Sequence, residues 1–418
     1  MKTSRIIWYW SVLLVTLSLV VVAGIGMHQP AQVHAASATP SLTQKLYLPL
    51  INKYVGKLSS RLGYCAITAP IDRYPQIRDL RAGWYLNFGM TTAPARPMGM
   101  EYVQVVRIHQ LTTCWPERLR NRTTCPYVTP YTYTIANESA PYTNALASIR
   151  NIARKNPGSV WFIGNEMDRY DWGDPSKGIP SGGQDEMLPE LYARAYHEIY
   201  TVIKSADPTA RVGIGGIIQA TPARLEYLTK VWNAHKSLYG MDMPVDIWNV
   251  HNFIFKEHCD DFGADVPPGY SGCYGTLYYD GDHDNMTIFD QQIRAFRQWM
   301  KDRGQQQKPL YVSEYGIVYY HSCNGTVEQC GGHPYDYDNQ TVVTNFMLNT
   351  FDYFMNTKDC SLGYAADECR LVQRWAWYSL DDTQGYYNAY SALFNMTTKQ
   401  KTALGQAFEN YAKQHLDP

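Results

Sequence analysis

Charge is scarce in this chain. Lys, Arg, Asp and Glu make up 18% of its 418 residues, and 37 basic side chains nearly cancel 38 acidic ones. No block of like charge occurs, so the basic footprint of a nucleic-acid binder is missing. Long apolar runs are scarce too: after Ile6–Ile25 none is long enough to span a bilayer. No G-x-G-x-x-G or Walker loop opens a helical pattern. Gly213-Ile214-Gly215-Gly216 ends an apolar run but lacks the fingerprint spacing and its acidic partner. H-E-x-x-H, G-x-S-x-G and C-x-x-C are all absent, which removes the common zinc-protease, serine-hydrolase and thioredoxin-like readings. There are no repeats, heptads or low-complexity tracts to support a structural scaffold protein. The 45% hydrophobic content excludes wholesale disorder.

Aromatic residues are the excess, at 14%, with 34 tyrosines. Tyr and Trp pair an apolar face with a polar edge, which suits wet recognition surfaces. Tyr also fills strands well, so composition alone leaves both uses open.

Lys2 and Arg5 precede the apolar run, and the small-residue stretch Val33-His34-Ala35-Ala36-Ser37-Ala38 follows it. This is the pattern of a secretory signal over residues 1–35, with cleavage expected after Ala35 or Ala38. Uncleaved, the same run could anchor the chain. Residues 36–60, with Pro40 and several Ser and Thr, read as a linker. The cysteines agree with export. Eight of nine fall into local couples, Cys114/Cys125, Cys259/Cys273, Cys323/Cys330 and Cys360/Cys369, which read as loop-stapling disulfides. Each would add about 2–3 kcal/mol in the chain-entropy model. Cys65 is left over in an apolar run and is expected to be buried. Six N-x-S/T sequons stand at Asn121, Asn137, Asn285, Asn324, Asn339 and Asn395, marking surface if the host glycosylates.

From residue 61 short apolar runs alternate with amphipathic ones. Strands are expected at 62–67, 82–87, 102–108, 159–164, 211–216, 245–250, 309–313 and 373–378. Helices are expected at 143–155, 188–206, 221–237, 287–303, 340–356 and 400–415. Eight β segments with intervening helices imply an α/β fold, a single (β/α)8 TIM barrel over residues 61–418. The alternative is an open doubly wound sheet. The segments beyond a minimal barrel, 109–142, 168–187, 252–286 and 315–339, all follow strands. They would build disulfide-stapled walls around the C-terminal rim, where barrel enzymes keep their chemistry.

Two glutamates meet that condition. Glu166 ends the fourth segment in Phe162-Ile163-Gly164-Asn165-Glu166, and Glu314 ends the seventh in Tyr311-Val312-Ser313-Glu314. Two carboxylates on nearly opposite sides of a narrow barrel mouth can face one sugar ring. Asn-Glu after strand 4 and Glu after strand 7 resemble the clan A retaining glycoside hydrolases. Trp84-Tyr85-Leu86-Asn87 and Arg374-Trp375-Ala376-Trp377-Tyr378-Ser379 are similar to their small endo-β-1,3-glucanase branch. Met167 stands where that branch has Pro, and His251-Asn252-Phe253 where it often has His-x-Tyr.

The resemblance implies a secreted enzyme hydrolysing O-glycosidic bonds of a polysaccharide, with a β-glucan expected, by double displacement. Glu166 would be acid/base and Glu314 nucleophile, with carboxyl groups about 5–5.5 Å apart against about 6.5–9.5 Å for inversion. Asn165 would bind the sugar 2-hydroxyl and Trp377 would stack under the ring. His251 would orient Glu314 or bind a hydroxyl, and Asn87, Arg107, His109 and Tyr315 lie at strand ends as further candidates. No cofactor, no metal and no membrane partner after signal cleavage are expected. The acidic run Asp280–Asn285 departs from a calcium loop at positions 6 and 12 and reads as a solvated loop. A carbohydrate-binding barrel that has lost turnover is the rival reading.

Overall fold

The computed structural model describes residues 59–114, 124–135, 145–171, 183–259, 263–319, 337–383 and 387–415. The signal segment and most of the linker lie outside the described residues. So do Cys323, Cys330 and the sequons Asn121, Asn137 and Asn324. The chain divides into Met1–Tyr54 and Val55–Pro418, and every described residue belongs to the second unit.

All eight expected segments contain strand. They are β1 (Ser59–Cys65), β2 (Ala82–Leu86), β3 (Glu101–Tyr102) with β4 (Gln104–Val106), β7 (Val160–Ile163), β8 (Arg211–Ile214), β9 (Trp248–His251), β10 (Leu310–Tyr315) and β11 (Arg374–Trp377). β1 begins at Ser59, inside the expected linker. The third segment departs from expectation. Its first part pairs with β2 and its second with β7, so the chain changes partner at Val103. Its end becomes β5 (Ile108–Gln110), which leaves the parallel ladder and forms an antiparallel hairpin with β6 (Tyr133–Ile135).

Six strands run in the order β3-β2-β1-β11-β10-β9 and three in the order β4-β7-β8, with parallel pairing throughout both sheets. The two are linked on both sides. Val103 and Val105 donate to the carbonyls of Tyr85 and Gly89 at 2.9 and 2.8 Å. Parallel bridges join Gly213 to Ile247 and Ile217 to Val250.

The helices are α1 (Ala145–Lys155), α2 (Pro189–Ala206), α3 (Pro222–Tyr239), α4 (Met286–Asp302), α5 (Gln340–Asn356) and α6 (Ala403–His415). Their ends follow from composition. Pro opens α2 and α3, where a missing N–H costs nothing. Asn285 and Asn339 cap α4 and α5 by accepting from backbone N–H groups two and three residues on. Asn395 holds a turn in the same way. The three described sequons therefore have a structural use of their own.

Alternation along the strands sorts side chains into two apolar layers. Trp84, Val105, Phe162, Tyr311, Ala376 and Tyr378 share the inner cluster. Tyr85, Trp161, Ile163, Val312, Trp375 and Trp377 pack with the helices in the outer one. Both faces of the parallel sheet are thus covered, as a continuous apolar strand requires.

Three of the expected disulfides are formed: Cys114–Cys125, Cys259–Cys273 and Cys360–Cys369. Cys65 is buried and its thiol donates to the Ser313 carbonyl at 3.3 Å. No helix among the described residues is long and apolar enough to cross a membrane.

His283 supplies a pH test. It is buried, stacked on Tyr337 at 5.5 Å and edge-on to Phe255 at 5.2 Å. Burial pushes its pKa down to about 4, against the pull of Asp280 and Asp282. Between pH 6.5 and 4 the unfolded chain binds a proton there that the folded chain refuses. Stability should fall by up to about 3 kcal/mol as pH drops through that window. Urea titrations at pH 7 and 4.5 check this: His283→Gln should lose less stability between them than the parent.

Candidate active site

Glu166 follows β7 at a sharp turn. Its φ is +49°, a left-handed conformation that costs a non-glycine residue about 1 kcal/mol or more. The turn is held by the Glu166 N–H donating to Gly216 at 2.9 Å and the Asn165 N–H donating to Asp185 Oδ2 at 3.0 Å. Glu314 lies on β10, opposite His251 of β9. Both ladders flanking β10 shift register just after Val312. A bulge of this kind re-aims side chains. Tyr311 is in the inner cluster, yet Tyr315 lies in the outer one. The irregularity breaks simple alternation and brings Glu314 to Glu166.

The two glutamates and His251 converge: one donor atom from each lies within 4.8 Å of the others. His251 Nδ1 is 3.0 Å from Glu166 Oε1 and 3.6 Å from Glu314 Oε2. Glu166 is 3% exposed, Glu314 9% and His251 1%. Arg169 Nη1 and Gln184 Nε2 each donate to Glu166 Oε2 at 3.3 Å. Among the described residues this is the one cluster able to offer three ligand atoms to an ion. The hydrogen bonds on Glu166 already account for its convergence with His251.

Electrostatics divides the pair. Burial raises both carboxyl pKa values. At Glu166 it is overridden by the His251 hydrogen bond and the Arg169 charge, so the group sits below the usual range. At Glu314 burial and the Glu166 charge outweigh His251, and the pKa goes up. Burial opposes a charged His251, but Glu314 and Glu166 raise its pKa all the same. These directions favour the charged form at Glu166 more than at Glu314, whereas an acid/base role for Glu166 calls for its protonated form.

The other expected residues divide. Asn165 is at the site, its amide donating to the Gly183 carbonyl at 3.1 Å. Arg107 and His109 both reach buried Asp185, at 2.8 Å from Arg107 Nε and 3.3 Å from His109 Nδ1. Asn87 is exposed and accepts from the Tyr102 hydroxyl. Trp377 and Tyr315 do not meet the expectation of substrate contact. Trp377 is fully buried on the helix side, 5.4 Å from the Tyr315 ring, and its indole donates to Ser391 at 2.8 Å. Arg374, Ala376 and Tyr378 alternate with Trp375 and Trp377, so the inward aromatic is Tyr378, whose pKa is raised by burial first and by the charges of Asp382 and Glu314 among others. In the acidic run, Asp282 accepts from Tyr279 N–H and Asn285 Nδ2, and Asp284 from the Tyr337 hydroxyl.

Arg169, Gln184 and Asp185 were not singled out in the sequence. Arg169 carries a detectable signal, three residues beyond Glu166. Gln184 and Asp185 lie in an insertion with no periodicity to place them.

Gly216 makes room for the arrangement. A Cβ there would come within 2.4 Å of two His251 ring atoms. Gly216→Ala should push the imidazole off the carboxylates and cut turnover about 10²-fold or more, since misplacement by about 1 Å has that effect. Kinetics alongside thermal melting checks this, with a smaller change expected in stability than in rate.

No protein-family model and no curated protein matches the chain. Solved structures with a related course of the chain include a GH128 (subgroup II) endo-β-1,3-glucanase from Sorangium cellulosum. It is 13% identical with a TM-score of 0.44, covering 84% of this chain and 97% of that one. A GH128 (subgroup VII) oligosaccharide-binding protein from Trichoderma gamsii is 13% identical with a TM-score of 0.44, covering 87% and 97%. A glucosidase from Croceicoccus marinus is 12% identical with a TM-score of 0.46, covering 86% and 68%. At these values the site's own geometry has to carry any functional reading.

Proposed function

We propose that this chain is a secreted retaining glycoside hydrolase acting on a polysaccharide, with a β-glucan as the expected substrate. The parallel strands would close into a (β/α)8 barrel through the hydrogen bonds from Val103 and Val105 to the β2 segment and its extension and through the bridges between the β8 and β9 segments. The observation that carries the reading is the buried pair Glu166 and Glu314, with carboxylate oxygens within 4.8 Å of each other at the C-terminal ends of parallel strands. A closest approach of that size supports the retaining arrangement, with carboxyl groups about 5–5.5 Å apart, over the about 6.5–9.5 Å of inversion.

In the first step Glu314 attacks the anomeric carbon while the glycosidic oxygen leaves with a proton from Glu166. In the second, Glu166 takes a proton from water, which displaces Glu314 from the sugar. His251, bonded to one carboxylate and close to the other, lies where it can stabilise whichever carries charge. Arg169 and His251 on Glu166 favour a second reading, with the roles exchanged and Glu314 as the acid. Both readings give retention.

The test is a panel of dye-labelled β-glucans, mannans, xylans and galactans, with product anomers followed by NMR. Release that is lost in Glu314→Gln, with retained configuration, supports the proposal. A folded protein that binds but cleaves none of them supports the carbohydrate-binding alternative.

A further inference from the structure

At the other end of the parallel strands lies an open cavity of about 440 Å³, lined by Arg96, Glu101, Lys155, Ser159, Arg211 and the turn between Lys155 and Ser159. Glu101 opens β3, Arg211 opens β8 and Ser159 immediately precedes β7. The glutamates of the candidate active site stand at the opposite, C-terminal ends.

The charges here do not balance. Glu101 is the sole carboxylate in the lining, and both its oxygens are taken: Arg211 donates to Oε1 and Arg374 to Oε2, each at 2.7 Å. Arg96 meets no carboxylate among the described residues; its Nη2 rests 3.2 Å from the Asn156 side-chain oxygen. Lys155 has no ion pair or hydrogen bond among them. Asp207, behind the turn, already accepts from Gly158 N–H and from both donors of Thr209.

Ser159 adds a second, independent sign. The residue is 6% exposed and lines the cavity, yet its hydroxyl has no hydrogen-bond partner among the described residues. That hydroxyl opens onto the cavity rather than being sealed in the core, so it is free to donate to a bound anion.

From this we infer that the cavity binds a tetrahedral oxyanion, a phosphate or sulfate group. Arg96 supplies a planar fork, Lys155 a mobile point charge and Ser159 a hydroxyl donor, a set matched to such an oxygen cluster. The cavity lies in the size range of sites for small organic ligands, so it has room for a sugar or polymer segment bearing the anion. In a chain whose total charge is close to zero, this local surplus attracts anions selectively to one pole. The inference stands apart from the glycosidase reading, because its ligand, its residues and its readout are different.

Calorimetric titration at constant ionic strength tests it. Sodium phosphate and sodium sulfate, compared with sodium chloride, report the free ion. Dextran sulfate, compared with dextran, reports an anionic polymer. Binding in either arm that falls about tenfold or more in Arg96→Gln/Lys155→Gln, falls in Ser159→Ala, and persists in Arg73→Gln, an exposed cation outside the lining, supports the site. The arm that binds names the source. No binding in either arm, or equal binding by the double variant, overturns it. Arg96 and Lys155 are exposed, so their loss leaves folding intact.

Discussion

Glycine in place of Glu314 should reduce hydrolysis at or beyond the upper end of the about 10²–10⁴-fold range typical of positioned acid–base groups. Sodium azide should then restore turnover of an activated aryl β-glycoside. The small anion occupies the space vacated by the side chain, and the product identifies which carboxylate was lost. If Glu314 is the nucleophile, azide enters from its face and gives an α-glycosyl azide. Glu166→Gly should instead give a β-glycosyl azide, because azide attacks the covalent intermediate from the side of the missing acid/base group. An exchange of the two products would assign the roles in the order that the resting charges favour. No rescue in either variant, with both folded, would sink the double-displacement mechanism.

The outcome matters because sequence and electrostatics disagree at this point. Strand position argues for Glu166 as proton donor. Arg169, Gln184 and His251 surround it with donors and positive charge, which favours its carboxylate. A bound substrate that displaced Arg169 would release that constraint. Arg169→Met should therefore raise the Glu166 pKa and move the ionisation that governs kcat/KM upward if Glu166 must be protonated to act.

What the sequence made legible was whatever rests on local pattern. Continuous apolar runs such as Val160-Trp161-Phe162-Ile163 marked buried parallel strands, and Pro and Asn marked helix starts. Glu166 and Glu314 were visible because each follows such a run. The register shift after Val312 was not, since nothing in Val312-Ser313-Glu314-Tyr315 announces it. Without it, the facing of Tyr315 and Glu314 cannot be read from alternation. Trp377 was misplaced for a related reason: two tryptophans two residues apart share a face, and the run does not say which face. Asp185 acts through contacts with Arg107 and Asn165, 78 and 20 residues away, which no window of sequence contains.

Arg224 should prove the most costly single residue to stability. It is fully buried on α3 and joins two carboxylates that are themselves fully buried, with Nη1 3.2 Å from Asp168 Oδ2 and Nε 2.9 Å from Glu257 Oε1. Its remaining N–H groups donate to the carbonyls of Asp168, Ala264 and Asp265. Glu257 is further held by Thr221 at 2.6 Å and by the Thr276 N–H at 2.7 Å. This one side chain therefore ties the turn that carries Glu166 to the loop stapled by Cys259–Cys273. Even with Arg224 beside it, burial and the Glu166 charge raise the Asp168 pKa to about 6. Arg224→Met would leave both acids without their cation, at about 3–5 kcal/mol by the behaviour of broken buried pairs. An acid whose folded pKa is raised binds a proton more readily folded than unfolded, so its penalty is full above the folded pKa and shrinks as pH falls. Urea unfolding of the variant should show a larger deficit at pH 8 than at pH 5. A pH-independent deficit would mean that Arg224 serves packing alone, because lost volume does not titrate.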